Sequence, residues 1–239
     1  YFMTLKHHWI TLHRVQFQDS VSAKQRKFDI PSAPECWRFC PGQQLDEKGL
    51  PRLSSDIWCG LGIFSDKSKA EDMVAAPENH LPFLPEAVQQ WHALAIPTKH
   101  RGEVNWRGHV EKNSAIHVAP EDTNDPLAII TTAGFLSYEP DQIPRIISFA
   151  QGADEILKFF GEQEGNLRSA VFSNGLDQRE GFTISLWRDE KAMVQAAYLD
   201  GRHRTLMDES RDGSIFDRSS FTRARILSSN GSWDGNPLE

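Results

Sequence analysis

One skeleton occurs twice in this chain, and it limits the fold more than any other feature. In the second half, Phe182 to Trp187 alternates apolar and polar side chains, the two-residue period of a strand with one buried face. Asp189 follows in helix N-cap position, and Lys191 to Leu199 has the spacing of an amphipathic helix. Asp200-Gly201 turns the chain, and Phe221 to Leu227 reads as a closing strand with Arg223 and Arg225 on one face. In the first half, Phe64-Ser65-Asp66 stands where Trp187-Arg188-Asp189 stands in the second. Each aspartate has a histidine fourteen positions later, His80 and His203. Each half closes on an aromatic turn, Trp106-Arg107-Gly108 and Trp233-Asp234-Gly235. Three matches in the same order point to a duplicated unit.

The other segments extend the pattern. Leu127–Leu136 and Arg168–Phe172 read as strands, and Pro140–Phe160 as helix in two pieces broken near Gly152. The second half then runs strand, helix, strand, strand, helix, strand, the ferredoxin-like order. In the first half, Leu5–Phe17 and Asp56–Phe64 read as strands, with a short strand Trp37–Cys40 inside a Pro/Gly-rich loop, Pro31–Arg52. Asp66 caps a helix running to Ala76, a second helix spans Pro85–Ala93, and a strand starts at Leu94. The expected fold class is α+β: two fused ferredoxin-like domains pairing their sheets into a dimeric α/β barrel within one chain. The expected boundaries are 4–110 for the first domain, 111–126 for a polar linker and 127–236 for the second.

Charge and composition remove several function classes. The net charge of −7 argues against a nucleic-acid or anionic-membrane surface, which needs a basic face. No apolar run reaches the roughly 20 residues of a membrane span, and no charged-then-apolar leader pattern opens the chain. Three cysteines make no disulfide framework, so the expectation is a reducing cytoplasm. Cys36 and Cys40 lack a second Cys/His pair, which leaves packing as their role. His7 and His13 share a strand face but stand about 20 Å apart at ~3.3 Å per residue, too far to chelate one ion. Hydrolase and nucleotide-binding motifs are absent.

Three stretches carry a family resemblance. Gly181-Phe182-Thr183-Ile184-Ser185-Leu186-Trp187-Arg188-Asp189, then Asp200-Gly201-Arg202-His203, then Phe221-Thr222-Arg223-Ala224-Arg225-Ile226-Leu227 resemble the bacterial spheroidene monooxygenase family, a carotenoid-ketolase type of haem enzyme. Cys36-Trp37-Arg38-Phe39-Cys40-Pro41-Gly42 looks like that family's Trp-Lys/Arg-x-Cys segment, and Trp106-Arg107-Gly108 like its first-domain end. The resemblance implies a haem b protein, with its iron held by His203 and its reaction an oxygen-dependent oxidation of a small-molecule substrate. It also implies an external electron donor such as a ferredoxin, and self-association is an open expectation. The implied fold relates the chain more distantly to aldoxime dehydratases, chlorite dismutases and dye-decolourising peroxidases.

A haem needs a neutral imidazole, a group that orients it, and cations for two propionates. Asp200 or Asp208 is placed to orient His203. Arg223, Arg225, Arg202 and Arg145 are the cofactor-binding candidates, with Arg168 as a further arginine. Ser173, Asn174 and Gln178, on the turn before the Gly181 strand, are the candidates for catalytic contacts. That turn is more polar than the family's, and the mean hydropathy is −0.50, so the expected substrate is more polar than a carotenoid. Trp187, Phe149, Phe159, Phe160 and Met193 are slot walls or plain core. Two other readings stay open: a haem-dependent dehydration of an N–O substrate, and a cofactor-free binding module whose arginines form ion pairs.

Overall fold

The computed structural model describes residues 7–18, 34–104, 116–120, 126–135, 139–174, 179–199, 216–235 and 237. The first half holds β1 (Trp9–Phe17), β2 (Cys36–Leu45), β3 (Pro51–Phe64), α1 (Lys67–Ala75) and β4 (Ala87–Gly102). The second holds β5 (Leu127–Phe135), α2 (Ile143–Gly161), β6 (Asn166–Asn174), β7 (Glu180–Trp187), α3 (Glu190–Leu199) and β8 (Phe216–Gly231). The strands close into one antiparallel barrel in the order β1-β3-β2-β6-β7-β5-β8-β4. Within the first half the order is β2-β3-β1-β4, and within the second it is β6-β7-β5-β8, the same rank order. Among the described residues no helix is long and apolar enough to cross a membrane.

Both aspartates predicted as caps act as caps. Asp66 accepts from the Ser68 N–H at 2.9 Å, and Asp189 from the Ala192 N–H at 2.7 Å. Of the helix expected at Pro85–Ala93, Pro85 and Glu86 fall in a single 3-10 turn, Leu84–Glu86, and Ala87 onward is instead the start of β4. Its residues pair on one edge with β1 and on the other with β8, and Trp91, Ala93 and Ala95 alternate with His92 and Leu94 at period two. Pairing on both edges outweighs local propensity. Gly152 does not break α2, which runs unbroken from Ile143 to Gly161. The stretch expected as linker is partly packed: the Ala119 N–H donates to the Pro97 carbonyl at 2.8 Å, and Ile116 and Ala119 are buried.

The barrel lumen is filled. Leu12, Leu61, Trp91, Ile130, Phe172, Phe182, Ile184 and Trp233 belong to one buried cluster. A cavity among Ile10, Ile63, Val104, Ile116, Ile130 and Thr222 is about 10 Å³, room for a single water. Each half caps one barrel mouth with the same turn. Gly102 (φ 87°) and Gly231 (φ 84°) adopt left-handed conformations, and a Cβ there would collide with the Ser219 and Gln90 carbonyl oxygens. The next residues, Glu103 and Ser232, donate to those same carbonyls at 2.9 Å. The residues after them, Val104 and Trp233, are buried at opposite mouths. The turn register thus pairs Trp233 with Val104. Trp106, its expected counterpart, lies outside the described residues.

The two seams between the halves are unequal. β4 and β8 pair from Trp91↔Gly231 to Gly102↔Ser220. β2 and β6 share only the pair Gly42↔Phe172. Side chains tie the weak seam. Glu180, 0% exposed, accepts from Arg38 Nε at 2.8 Å and Asn174 Nδ2 at 2.8 Å on one oxygen, and from Arg218 Nη2 at 3.0 Å on the other. The Cys40 thiol donates to Asn174 Oδ1 at 2.6 Å. One carboxylate thus joins β2 of the first half to β6, β7 and β8 of the second.

Glu180→Ala leaves two guanidiniums facing each other in the lumen, and should cost about 3–5 kcal/mol in denaturant unfolding. A loss below about 1 kcal/mol would show that the carboxylate is not holding the seam. A second expectation concerns acid. His13 and His92 are both buried, with their Nδ1 atoms 2.7 Å apart. Burial pushes His92 down to about 4 and His13 well below the ordinary histidine range, His13 also through its histidine neighbours. Folded histidines are then neutral where unfolded ones, near 6.5, already bind a proton. Their stabilisation is complete above about pH 6.5. It is lost as pH falls, by up to about 1.4 kcal/mol per pH unit for each ring, with His92 contributing down to about 4. A flat unfolding free energy between about pH 7 and 5 would contradict this.

Candidate functional site

The closed lumen directs attention to the outer faces of the sheet. The strand registers make the two faces comparable residue by residue. Trp9 pairs with Phe64 as Leu127 pairs with Trp187, and Val15 with Trp58 as Ala133 with Gly181. On the outward rows, Trp37 and Phe39 of β2 therefore correspond to Ser169 and Val171 of β6. Trp58, Val15 and His13 correspond to Gly181, Ala133 and Thr131. Trp37, Phe39 and Trp58 on the first face stand where small side chains stand on the second, while Gly60 and Gly62, which lie beneath Phe39 and Trp37, correspond to Thr183 and Ser185.

The first face is solid. Trp37, Trp58, Phe64, Met73, Leu81 and Phe83 form a buried cluster beneath α1, with Phe39 packed against it. The second face is open. Ser169, Val171, Thr131, Thr183, Gly181 and Ala133 are all only half-buried. The Thr131 and Thr183 hydroxyls share a 2.6 Å hydrogen bond on this floor. α2 brings Ile146, Phe149 and Ala153 to the same side, also half-buried. Aromatic clusters close the two ends: Phe135, Phe149 and Phe216 at one, Phe160 and Trp187 at the other.

Charge changes along with size. Leu94 pairs with Thr11 as Arg223 pairs with Ile129, so Arg223 occupies the place of Leu94. One step along the same row, Arg225 stands where the first half has Ile96. Arg223 is 4% exposed and is paired with Glu190 on the first turn of α3. Burial lowers its pKa. Two arginines, one of them already balanced by Glu190, stand in place of two aliphatic side chains beside a floor with few aromatics, a surface suited to a flat, apolar-faced molecule carrying an anionic group.

The predicted site residues divide accordingly. Arg223 and Arg225 lie on this face, and Ser173 shares its β6 row, its hydroxyl donating to the Glu180 carbonyl at 2.8 Å. Asn174 points the other way, into the lumen network with Glu180 and Cys40. Arg145 is exposed on α2. Arg168 donates to the Trp233 carbonyl at the far mouth. His203, Arg202, Gln178, Asp200 and Asp208 lie outside the described residues. Phe149, Phe160 and Trp187, expected as slot walls or plain core, close the ends of the open face. Among the described residues no group of three metal-ligating side chains is assembled. Sequence reading missed Glu180 and the small-residue floor, because only the register sets Trp58 against Gly181.

No protein-family model matches the chain. It is 23% identical over 218 residues to spheroidene monooxygenase from Rhodobacter capsulatus, across 84% of this chain and 80% of that protein. Its fold is that of aldoxime dehydratase. A structure of that enzyme with butyraldoxime superposes with a TM-score of 0.57 at 11% identity, over 94% of this chain and 80% of the other. A second aldoxime dehydratase structure gives the same TM-score and identity over 95% and 83%.

Copying the first face onto the second tests whether the floor is open. Ala133→Val, which copies Val15 and faces Gly181 across the strand pair, should raise the melting temperature by about 2 °C or more, since about 1 kcal/mol shifts a protein of this size by 2–4 °C. A closed floor would instead respond with the destabilisation of overpacking, about 1–3 kcal/mol.

Proposed function

We propose that this protein is a haem-dependent oxidative enzyme resembling spheroidene monooxygenase, with its cofactor against the outer face of the second half. The observation that carries the reading is the contrast between the two faces: aromatic filling in one, small side chains and two arginines in the other. The curated relative and the shared fold support it. In this reading residues 4–110 and 127–236 are two ferredoxin-like units joined through 111–126, an assignment supported by their common strand order.

The residues on the face suit a haem in size and charge. Val171, Ala133 and Gly181 leave a flat floor, and Phe149, Phe160 and Trp187 bound it with apolar surface. Arg223 and Arg225 take the propionates, with Arg202 and Arg145 as further cations. His203 follows α3 in sequence and supplies the imidazole, oriented by Asp200 or Asp208. When bound, the haem supplies an iron centre for oxygen chemistry, and electrons come from an external donor such as a ferredoxin. Ser173 is a polar contact at the rim, and Gln178 is a further candidate for the catalytic contacts. Asn174 serves indirectly, through the network that fixes the β6–β7 hairpin. The substrate is a small or medium organic molecule more polar than a carotenoid, in keeping with the hydroxyls of Thr131, Thr183 and Ser169 on the floor.

The aldoxime dehydratase fold favours a second reading, in which the same site dehydrates an N–O substrate and needs no net supply of electrons. The absorption spectrum of haem-reconstituted protein decides first. A Soret band is expected, lost or shifted in His203→Ala. Its absence in the wild type would remove both haem readings, and an unchanged band in the variant would remove the ligand assignment alone. Turnover without reductant would select dehydration over oxygenation.

A further inference from the structure

One barrel mouth is closed by a short strap, residues 116–119, running between β1 and β4. Ile116 belongs to the lumen cluster and meets Val104, Ile10 and Ile63 around the small cavity. The strap is tied to β4 by the Ala119 N–H bonding the Pro97 carbonyl at 2.8 Å. Among the described residues it is tied to the β1 side at His8, by two reciprocal bonds. The His8 N–H donates to the His117 carbonyl at 2.8 Å, and the His117 N–H donates to the His8 ring Nδ1 at 2.9 Å.

The second bond dictates the protonation state of the ring. A nitrogen that accepts from a backbone N–H carries no proton, so the His8 proton sits on Nε2. From there it points at Glu35, 3.2 Å away. The latched form therefore requires a neutral imidazole of one tautomer. A second proton has to enter at Nδ1, where it meets the His117 N–H head-on and removes the acceptor.

We propose that His8 is an acid-released latch on this strap, holding the barrel mouth shut while neutral and loosening it when protonated. The groups facing the ring are Glu35 ahead of β2, His117 on the strap, His7 on the same segment and His100 on β4. Glu35 favours the charged ring. Burial, His117 and His7 oppose it, and burial prevails, so the pKa is lowered. Release accordingly occurs on the acid side of the ordinary histidine range. Freed, the strap admits solvent to Thr222, hydrogen-bonded to His100 at 2.8 Å, and to the neighbouring Thr132–Ser220 pair. The device is independent of what the second-half face binds.

Amide hydrogen exchange read by NMR tests it on the whole chain. Corrected for intrinsic rate, exchange at His117 and Ala119 should quicken by about tenfold or more from pH 7.5 to 5, the factor for losing one hydrogen bond of about 1.4 kcal/mol. The same ratio at core amides of Ile130 and Phe182 corrects for global acid destabilisation. His8→Gln offers a carboxamide oxygen that accepts at either pH, and should abolish the strap-specific rise. His8→Ala should exchange fast at both. A wild type without the rise, or a glutamine variant that keeps it, would overturn the latch. So would ring ¹⁵N shifts placing the neutral His8 proton on Nδ1.

Discussion

The carboxylate of Glu180 decides whether this barrel is closed. Hydrogen-bonded ladders hold seven of the eight strand boundaries along their length, but β2 and β6 meet at one residue pair. With so short a ladder there, closure draws on side chains reaching across the lumen. Two guanidiniums, an amide and a thiol converge on or beside one buried acid. Low dielectric strengthens each contact and penalises any missing one, so the network acts as a unit. Closure in turn packs the lumen solid, and a solid lumen leaves the outer faces as the places for chemistry.

The common strand order of the two halves gives those faces a built-in control. Both halves place strands, caps and glycine turns alike, so differences between equivalent positions are departures from a common plan. Trp58 against Gly181 and Trp37 against Ser169 take volume from the second face, Gly60 against Thr183 and Gly62 against Ser185 return a little of it, and Leu94 against Arg223 brings in a charge paired with Glu190. A core that had simply drifted would exchange large residues for other apolar residues of similar volume.

Sequence reading reached the parts governed by local chemistry. Asp66 and Asp189 were legible as caps because a cap is a property of a few consecutive residues. The β7–α3 and β3–α1 units were legible because alternation and helical spacing lie side by side in the chain. β4 was not. Pro85, the paired glutamines and the aromatic–aliphatic mix after them suit a helix until β1 and β8 pair with both edges. The open face was hidden for a related reason. Ser169, Thr131 and Gly181 are unremarkable in three separate strands and acquire meaning only against Trp37, His13 and Trp58. Of the candidate residues, Arg223 and Arg225 share a strand face in the sequence pattern and in the fold, whereas Asn174 joins the lumen network with Glu180 and Cys40, since one position along a strand reverses which side of the sheet a side chain joins.

The unequal seams also set an order of assembly. β4 and β8 form a long zipper, whereas β2 and β6 have almost none. Two half-chains produced separately would recognise each other through the zipper, dock as an open clamshell, and shut last at the side-chain clasp. Breathing of the finished barrel retraces that order, so its hinge runs along β4–β8, and the opposite side is where the shell parts first.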